Sequence, residues 1–282
     1  MSANERALKA RVKSVRSLRK VTNAMYLIAY SSLSRRREAA AAADVVTREL
    51  TAALTPWLNS APEREPDRKA PLVLLVFSGE RGLAGDYYRL LGSAAERFLN
   101  STPDSEAYRI GSVSVPVYGR EVLPFPGFGE DSIPLSPAAV HRLTEQLLRR
   151  RQEQPAENIW ILAADERQSG EPEAHPLRFF QPVKPENRHG PVFLTDSGTV
   201  KASAEQFYLN NQLSAFSLHA SCAELKARML SMHTATDNAD DLLRTLQLQL
   251  QNVRQERITE ELTELTAGAS AHRKAVNREE KQ

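Results

Sequence analysis

LKARMLSMHTATDNADDLLRTLQLQLQNV, residues 225–253, places Leu225, Met229, Met232, Thr236, Ala239, Leu243, Leu246, Leu250 and Val253 at alternating steps of four and three. A seam with that period marks a helix supercoiled against another helix. The register runs on to Arg257, which is polar, and resumes out of phase at Ile258, Leu262 and Leu265. A heptad that loses its phase predicts a supercoil that loosens or changes partner at that point.

Working outward, the N-terminal stretch carries a matching stripe of Leu8, Val12, Val15, Leu18, Val21, Met25, Ile28 or Ala29, and Leu33, again at steps of three or four. Unbroken from Asn4 to Leu54, this helix would be about 75 Å long, more than one compact domain covers. Part of it must therefore pack on a second long helix or on another chain. The breakers agree: all sixteen prolines fall between Pro56 and Pro191, and eleven of the twelve glycines between Gly79 and Gly198, with Gly268 the exception. Both ends, Met1 to Thr55 and Thr199 to Ala267, are free of the residues that most strongly interrupt helices. Periodicity alone allows the two helices to pair parallel or antiparallel.

The 282 residues are 41% hydrophobic and 26% charged, which excludes disordered and collagen-like classes and suits one large or two small globular domains. The lone Cys222 allows no intramolecular disulfide and fits a reducing compartment. The longest apolar run, Leu72 to Phe77, is far too short to span a bilayer, and the N-terminus lacks an apolar core of signal-peptide length, so a soluble protein is expected. Net charge is only +2, which points to no nucleic-acid partner. Locally, Arg6, Lys9, Arg11, Lys13, Arg16, Arg19, Lys20, Arg35, Arg36 and Arg37 face Glu5 alone. Such an Arg-rich amphipathic start also has the composition of an organelle transit peptide. Without aromatic interleaving beyond Tyr26 and Tyr30, it reads as a solvated or protein-facing basic surface more readily than as a nucleic-acid site.

The middle of the chain reads as α/β. Leu72 to Phe77 is a continuous apolar strand, followed by the turn SGERGLAG (Ser78 to Gly85) and a helix to Leu99. Val113 to Tyr118 is expected as a second strand. Ser136 caps a helix that begins at Pro137 and runs to Arg151. Asn158 to Ala164 is a third strand, with Leu177 to Val183 at an edge, where Pro182 and Pro185 are tolerated.

Several residues invite a chemical reading. SGERGLAG sits between a strand and a helix, where phosphate is often held, but it lacks the GxGxxG spacing and the GK[ST] ending, and Glu80 would oppose an anion. A plain tight turn explains it better. Asp165 and Glu166 leave a strand as an acid and base pair might, yet adjacent side chains point apart and suit a solvated turn. His141, His175, His189, His219, His233 and His272 show no metal-ligand pairing. Cys222, near Leu218 and Leu225, reads as a small buried side chain.

VTNAMYLIAYSSL (Val21 to Leu33), the turn Ser78 to Gly85, ARMLSMHTATDN (Ala227 to Asn238) and NVRQERITEELTEL (Asn252 to Leu265) together closely resemble the gamma subunit of F-type ATP synthases, in the family's order and spacing. The similarity covers both terminal helices and the entry to the middle domain. It implies an α/β fold with long terminal helices: an antiparallel coiled coil of the N- and C-terminal helices plus a small Rossmann-like, mainly parallel sheet domain. The implied divisions are a coiled-coil helix over 1–60, an α/β base domain over 70–195, a coiled-coil helix over 200–271 and a charged tail over 272–282.

The resemblance further implies a non-catalytic central-stalk rotor without a cofactor or metal. It would be present once per complex, with alpha and beta subunits, the epsilon subunit and the membrane c-ring as partners, held peripherally on the cytoplasmic side of a bacterial inner membrane. Met25 matches the family's methionine facing beta, and Arg254 and Gln255 match the pair facing the beta catch loop. Thr259, Glu261 and Thr263 match tip positions coupled to that methionine region. Arg81, Gly82 and Gly85 fall in the base-domain turn, the two glycines serving backbone geometry. Asn23 and Ser32 stand where lysines are usual, Ala84 where a cysteine is usual, and Asp86 where a glycine is usual. The tail His272 to Gln282 extends past the usual end and is expected to emerge poorly ordered. Two rival readings are a nucleotide-binding α/β enzyme with coiled-coil oligomerisation arms and a basic coiled-coil scaffold for nucleic acid.

Overall fold

The computed structural model describes residues 3–58, 72–102, 105–117, 120–154, 158–164, 172–177 and 197–279. Two helices bracket the chain: α1, Ala3–Leu58, and α4, Ser197–Glu279. They match the breaker-free ends, and each runs slightly past its expected limit, α1 through Pro56 and α4 through Gly198 and Gly268. Helix α4 also continues into the charged tail as far as Glu279. The chain divides into two compact units, one of Met1–Tyr26 with Met232–Gln282 and one of Leu27–Ser231.

In the first unit α1 and α4 run antiparallel, because partners ascend on one helix as they descend on the other: Glu5 with Arg257, Arg19 with Asp240, Thr22 with Thr236, and Tyr26 with His233. Val12, Val15, Ala239, Leu243 and Leu246 form the buried seam, with Leu8 packed against it. The seam on α4 is the one the heptad predicts. On α1 the expected stripe slips: Leu18 is 57% and Val21 55% exposed, while Thr22 is buried. The true register steps from Val15 through Arg19 to Thr22, keeping the heptad period. These polar residues take seam positions because each finds a partner across the interface, Asp240 for Arg19 and Thr236 for Thr22. Leu18→Ala should therefore change stability by less than about 0.5 kcal/mol, whereas Val15→Ala should cost about 1.5 kcal/mol. Denaturant titration of both variants separates the two registers.

The second unit holds the sheet. Its strands are β1 (Leu72–Phe77), β2 (Ser105–Ile110), β5 (Leu123–Pro124), β6 (Asn158–Ala164) and β7 (Pro172–Pro176), ordered β5-β2-β1-β6-β7; a separate pair joins β3 (Pro116–Val117) and β4 (Arg120–Glu121). All neighbours in the main sheet are parallel except β7, which runs antiparallel to β6. Helices α2 (Tyr87–Ser101) and α3 (Pro137–Glu153) join them, and Ser136 caps α3 by accepting from the Ala139 amide at 3.2 Å. Strand β1 alternates across the sheet. Val73, Leu75 and Phe77 join Val140, Leu143 and Leu147 of α3 with Leu209 and Leu213 of α4, while Leu72, Leu74 and Val76 join Leu91 and Ala95 of α2 with Ala223 of α4.

Two strand expectations move. The second strand of the sheet is Ser105–Ile110, whose charged Glu106 and Arg109 hide it from an apolar pattern. Glu106 pairs with Arg150 at 2.8 Å, so the charges rest on the sheet's neighbours. The alternating valines of Val113 to Tyr118 give only the two-residue β3, and Tyr118 lies outside the described residues. The edge strand ends at Pro176, just before the expected Leu177; residues 178–183 lie outside the described residues. In this unit α1 and α4 also pack together, through Ala29, Leu33 and Ala40 against Cys222 and Leu225. Cys222 is the expected small buried side chain.

Candidate functional site

The terminal pair in the first unit ends in a charged layer. Glu5 lies three residues before Leu8, at the next seam position of α1, and meets Arg257, the polar residue at which the α4 heptad loses its apolar character. The α1–α4 seam therefore ends at Arg257 on an ion pair. The Glu5 carboxylate is buried and receives Lys9 Nζ at 2.8 Å, Arg257 Nη1 at 3.0 Å and Arg254 Nε at 3.6 Å. The Lys9 hydrogen bond, with the charges of Arg257 and Arg254, holds its pKa below the ordinary carboxylate value. Sequence reasoning passed over Glu5, although its heptad position was the available signal.

Beyond this layer α4 shows apolar side chains at steps of four and three: Ile258 is 50%, Leu262 57% and Leu265 70% exposed. Large apolar groups left in water at helical spacing mark a surface that another protein covers. Arg254, Gln255, Thr259, Glu261 and Thr263 are exposed on the same stretch. Thr259 donates to the Gln255 carbonyl at 2.9 Å, Thr263 to the Thr259 carbonyl at 2.7 Å, and Glu261 forms an ion pair with Arg257 at 3.3 Å. Met25 is half-buried beside Tyr26, whose ring meets His233 at 5.4 Å. Twenty residues of helix separate Glu5 from Met25, about 30 Å, so the methionine and the tip residues are not brought together within this unit.

In the second unit, the turn after β1 is held from α4. The Glu224 carboxylate, buried, accepts from Tyr88 Oη at 2.7 Å and from Arg228, and the nearby backbone of Arg81 and Glu80 also acts to lower its pKa. Arg228 reaches on to the Arg81 carbonyl at 2.7 Å and the Gly82 carbonyl at 3.3 Å. Burial pushes the Glu224 pKa up against the pull of these partners. The protein's own carboxylate thus lies against the turn where a strand-turn-helix site would hold a phosphate. Gly85 takes the left-handed conformation at φ +56°, as the turn reading expects; Leu83, at φ 70°, takes a second such position. Gly82 has neither a positive φ nor a close neighbour, so no backbone demand is visible there.

The other candidates do not converge. His141 pairs with Glu145, His233 with Asp237 and His219 with Asp44, each with one carboxylate, and His175 stacks on Phe216. Among the described residues no three His, Cys, Asp or Glu side chains could hold a metal ion. Asp165, Glu166 and His189, and the side chain of His272, lie outside the described residues. No helix among the described residues is long and apolar enough to cross a membrane.

A family model described as ATP synthase matches residues 4–272. The chain is 29% identical over 306 residues to the ATP synthase gamma chain of Beutenbergia cavernae, covering 96% of this chain and 99% of that one. It is 28% identical over 302 residues to that of a Nocardioides species, covering 96% and 97%. Among solved structures, a chain of the Euglena gracilis mitochondrial ATP synthase OSCP/F1/c-ring assembly superposes with a TM-score of 0.62 at 13% identity, covering 95% of this chain and 94% of that one. A chain of the Tetrahymena thermophila mitochondrial central stalk and c-ring does so with 0.51 at 15% identity, covering 76% and 99%. At these identities the structural likeness speaks to the fold.

Proposed function

Because the chain belongs to the ATP synthase gamma-chain family, we propose that it is the central-stalk rotor subunit of an F-type ATP synthase, coupling ion-driven rotation of a membrane c-ring to ATP synthesis or hydrolysis in an alpha3beta3 hexamer. The observation that carries the reading is the antiparallel terminal pair, whose heptad seam closes at Glu5 and Arg257 and gives way to the exposed Ile258, Leu262 and Leu265. A single asymmetric rod inside a threefold ring meets three catalytic subunits in three different ways. Each third of a turn then exchanges their nucleotide affinities, by the difference in contact free energy that each state makes with the rod.

In this reading the chain hydrolyses nothing itself and needs no cofactor. Arg254 and Gln255 face the beta catch loop, Thr259, Glu261 and Thr263 form the tip, and Met25 lies at the bearing. Exposed Arg6, Arg11, Lys13, Arg16 and Lys20 suit acidic loops of beta. The unit containing the sheet is the base, with Arg81, Gly82 and Gly85 in its turn, near epsilon and the c-ring. Localisation follows from the partners: peripheral, on the cytoplasmic face of a bacterial inner membrane, as the bacterial relatives suggest. The buried Glu224 carboxylate against the turn weighs against the nucleotide-binding enzyme.

Co-expression with the partner alpha and beta chains tests the function. The expected product contains one copy of this chain per six large subunits and hydrolyses ATP. A chain that binds nucleotide tightly and stoichiometrically by itself, and never enters such a complex, would overturn the reading.

A further inference from the structure

Glu5 is the only carboxylate among the first 37 residues, and it is 3% exposed. One of its oxygens takes Lys9 and Arg254, the other Arg257. Arg254 Nε faces Glu5 Oε1 at 3.6 Å as an ion pair, and its side chain remains 49% exposed. The guanidinium is a rigid planar fork with five N–H donors. The carboxylate's charge therefore draws the inner edge of the guanidinium toward the seam while the side chain stays half-exposed.

We propose that Glu5 is a positioning residue for Arg254: its buried charge draws the inner edge of the guanidinium to the seam, biasing the outer nitrogens toward an oxygen acceptor on the surrounding beta subunit. The inference rests on the reading that Arg254 meets beta. Without Glu5 a long side chain would have to be ordered anew at each contact. Lys9, Arg254 and Arg257 would also be left as three clustered cations without the carboxylate that binds all three. The same layer fixes the register in which Arg254 is displayed. Sliding α4 by one heptad would set Glu5 opposite Leu250 or Glu264, a buried charge without a partner or a like-charge pair, both unfavourable.

The test uses the complex assembled with alpha and beta chains, with MgATP as substrate. Glu5→Gln keeps the length of the side chain and removes its charge. It is expected to lower kcat for ATP hydrolysis about fivefold, with KM and subunit stoichiometry unchanged. Arg254→Gln should give the same loss, the double variant no further loss, and Glu5→Asp a partial recovery. A residue that only holds the helices together would lower the melting temperature and act additively with Arg254→Gln. Additive losses, or unchanged kcat in Glu5→Gln where Arg254→Gln is impaired, would overturn the positioning role alone. If Arg254→Gln is silent, the contact of Arg254 with beta is what fails, and the positioning role falls with it. If Glu5→Gln does not assemble, the comparison is made with Glu5→Asp against Arg254→Gln, to the same criteria.

Discussion

Gly92→Ala is expected to destabilise the unit containing the sheet by about 3 kcal/mol or more. A Cβ at position 92 would lie 1.7 Å from the Pro116 carbonyl oxygen and 2.8 Å from its carbon. Both obstacles are backbone atoms, so no rotamer relieves the overlap. Either α2 lifts from the sheet, exposing Leu91 and Ala95, or the β3 segment moves and loses its pairing with β4 through Pro116 and Val117. Gly268→Ala is the control. It lies in the interior of α4, where a Cβ would meet nothing, so helix propensity alone favours alanine there by about 1 kcal/mol. Denaturant midpoints should therefore move in opposite directions. An unchanged midpoint for Gly92→Ala would show that the α2 and β3 segments are not in contact.

Glu224→Ala should cost about 3 kcal/mol. It removes the buried acceptor shared by Tyr88 and Arg228, which keep only the turn carbonyls of Arg81 and Gly82 as acceptors. Glu224→Gln, which keeps an acceptor oxygen, should cost less. The pair also differs in pH dependence. Burial raises the folded-state pKa above the ordinary value of 4.5, so the folded state holds this proton more tightly than the unfolded chain. The stability gained from that proton is complete below the ordinary value and is lost as pH rises through the raised one. Glu224→Gln should abolish this component of the pH profile. If the profiles of the two proteins coincide, the carboxyl is not buried as described.

Where local signals were dense, the sequence was sufficient. The Leu225 to Val253 heptad, the apolar runs of β1 and β6, and the Ser136–Pro137 start of α3 are each encoded within one element, and each is found where it was read. Where a residue's role depends on what lies across an interface, composition misled. Leu18 and Val21 look like seam residues and are exposed, while Thr22 looks like a surface residue and is buried against Thr236; Arg19, itself exposed, pairs with Asp240. Strand β2 escaped for the same reason, since Arg150 neutralises Glu106 from α3, 44 residues along the chain.

Proline and glycine placement together with a 3.5-residue apolar period determined two long terminal helices around an α/β middle, because these are properties of the backbone and of one helix face at a time. The tertiary structure decided that the helices pair antiparallel in the register set by Glu5 with Arg257, and that Glu224 fills the turn after β1. Both depend on charges distant in sequence, 252 residues apart for Glu5 and Arg257, and pairing at that distance is fixed only when folding removes the water between them.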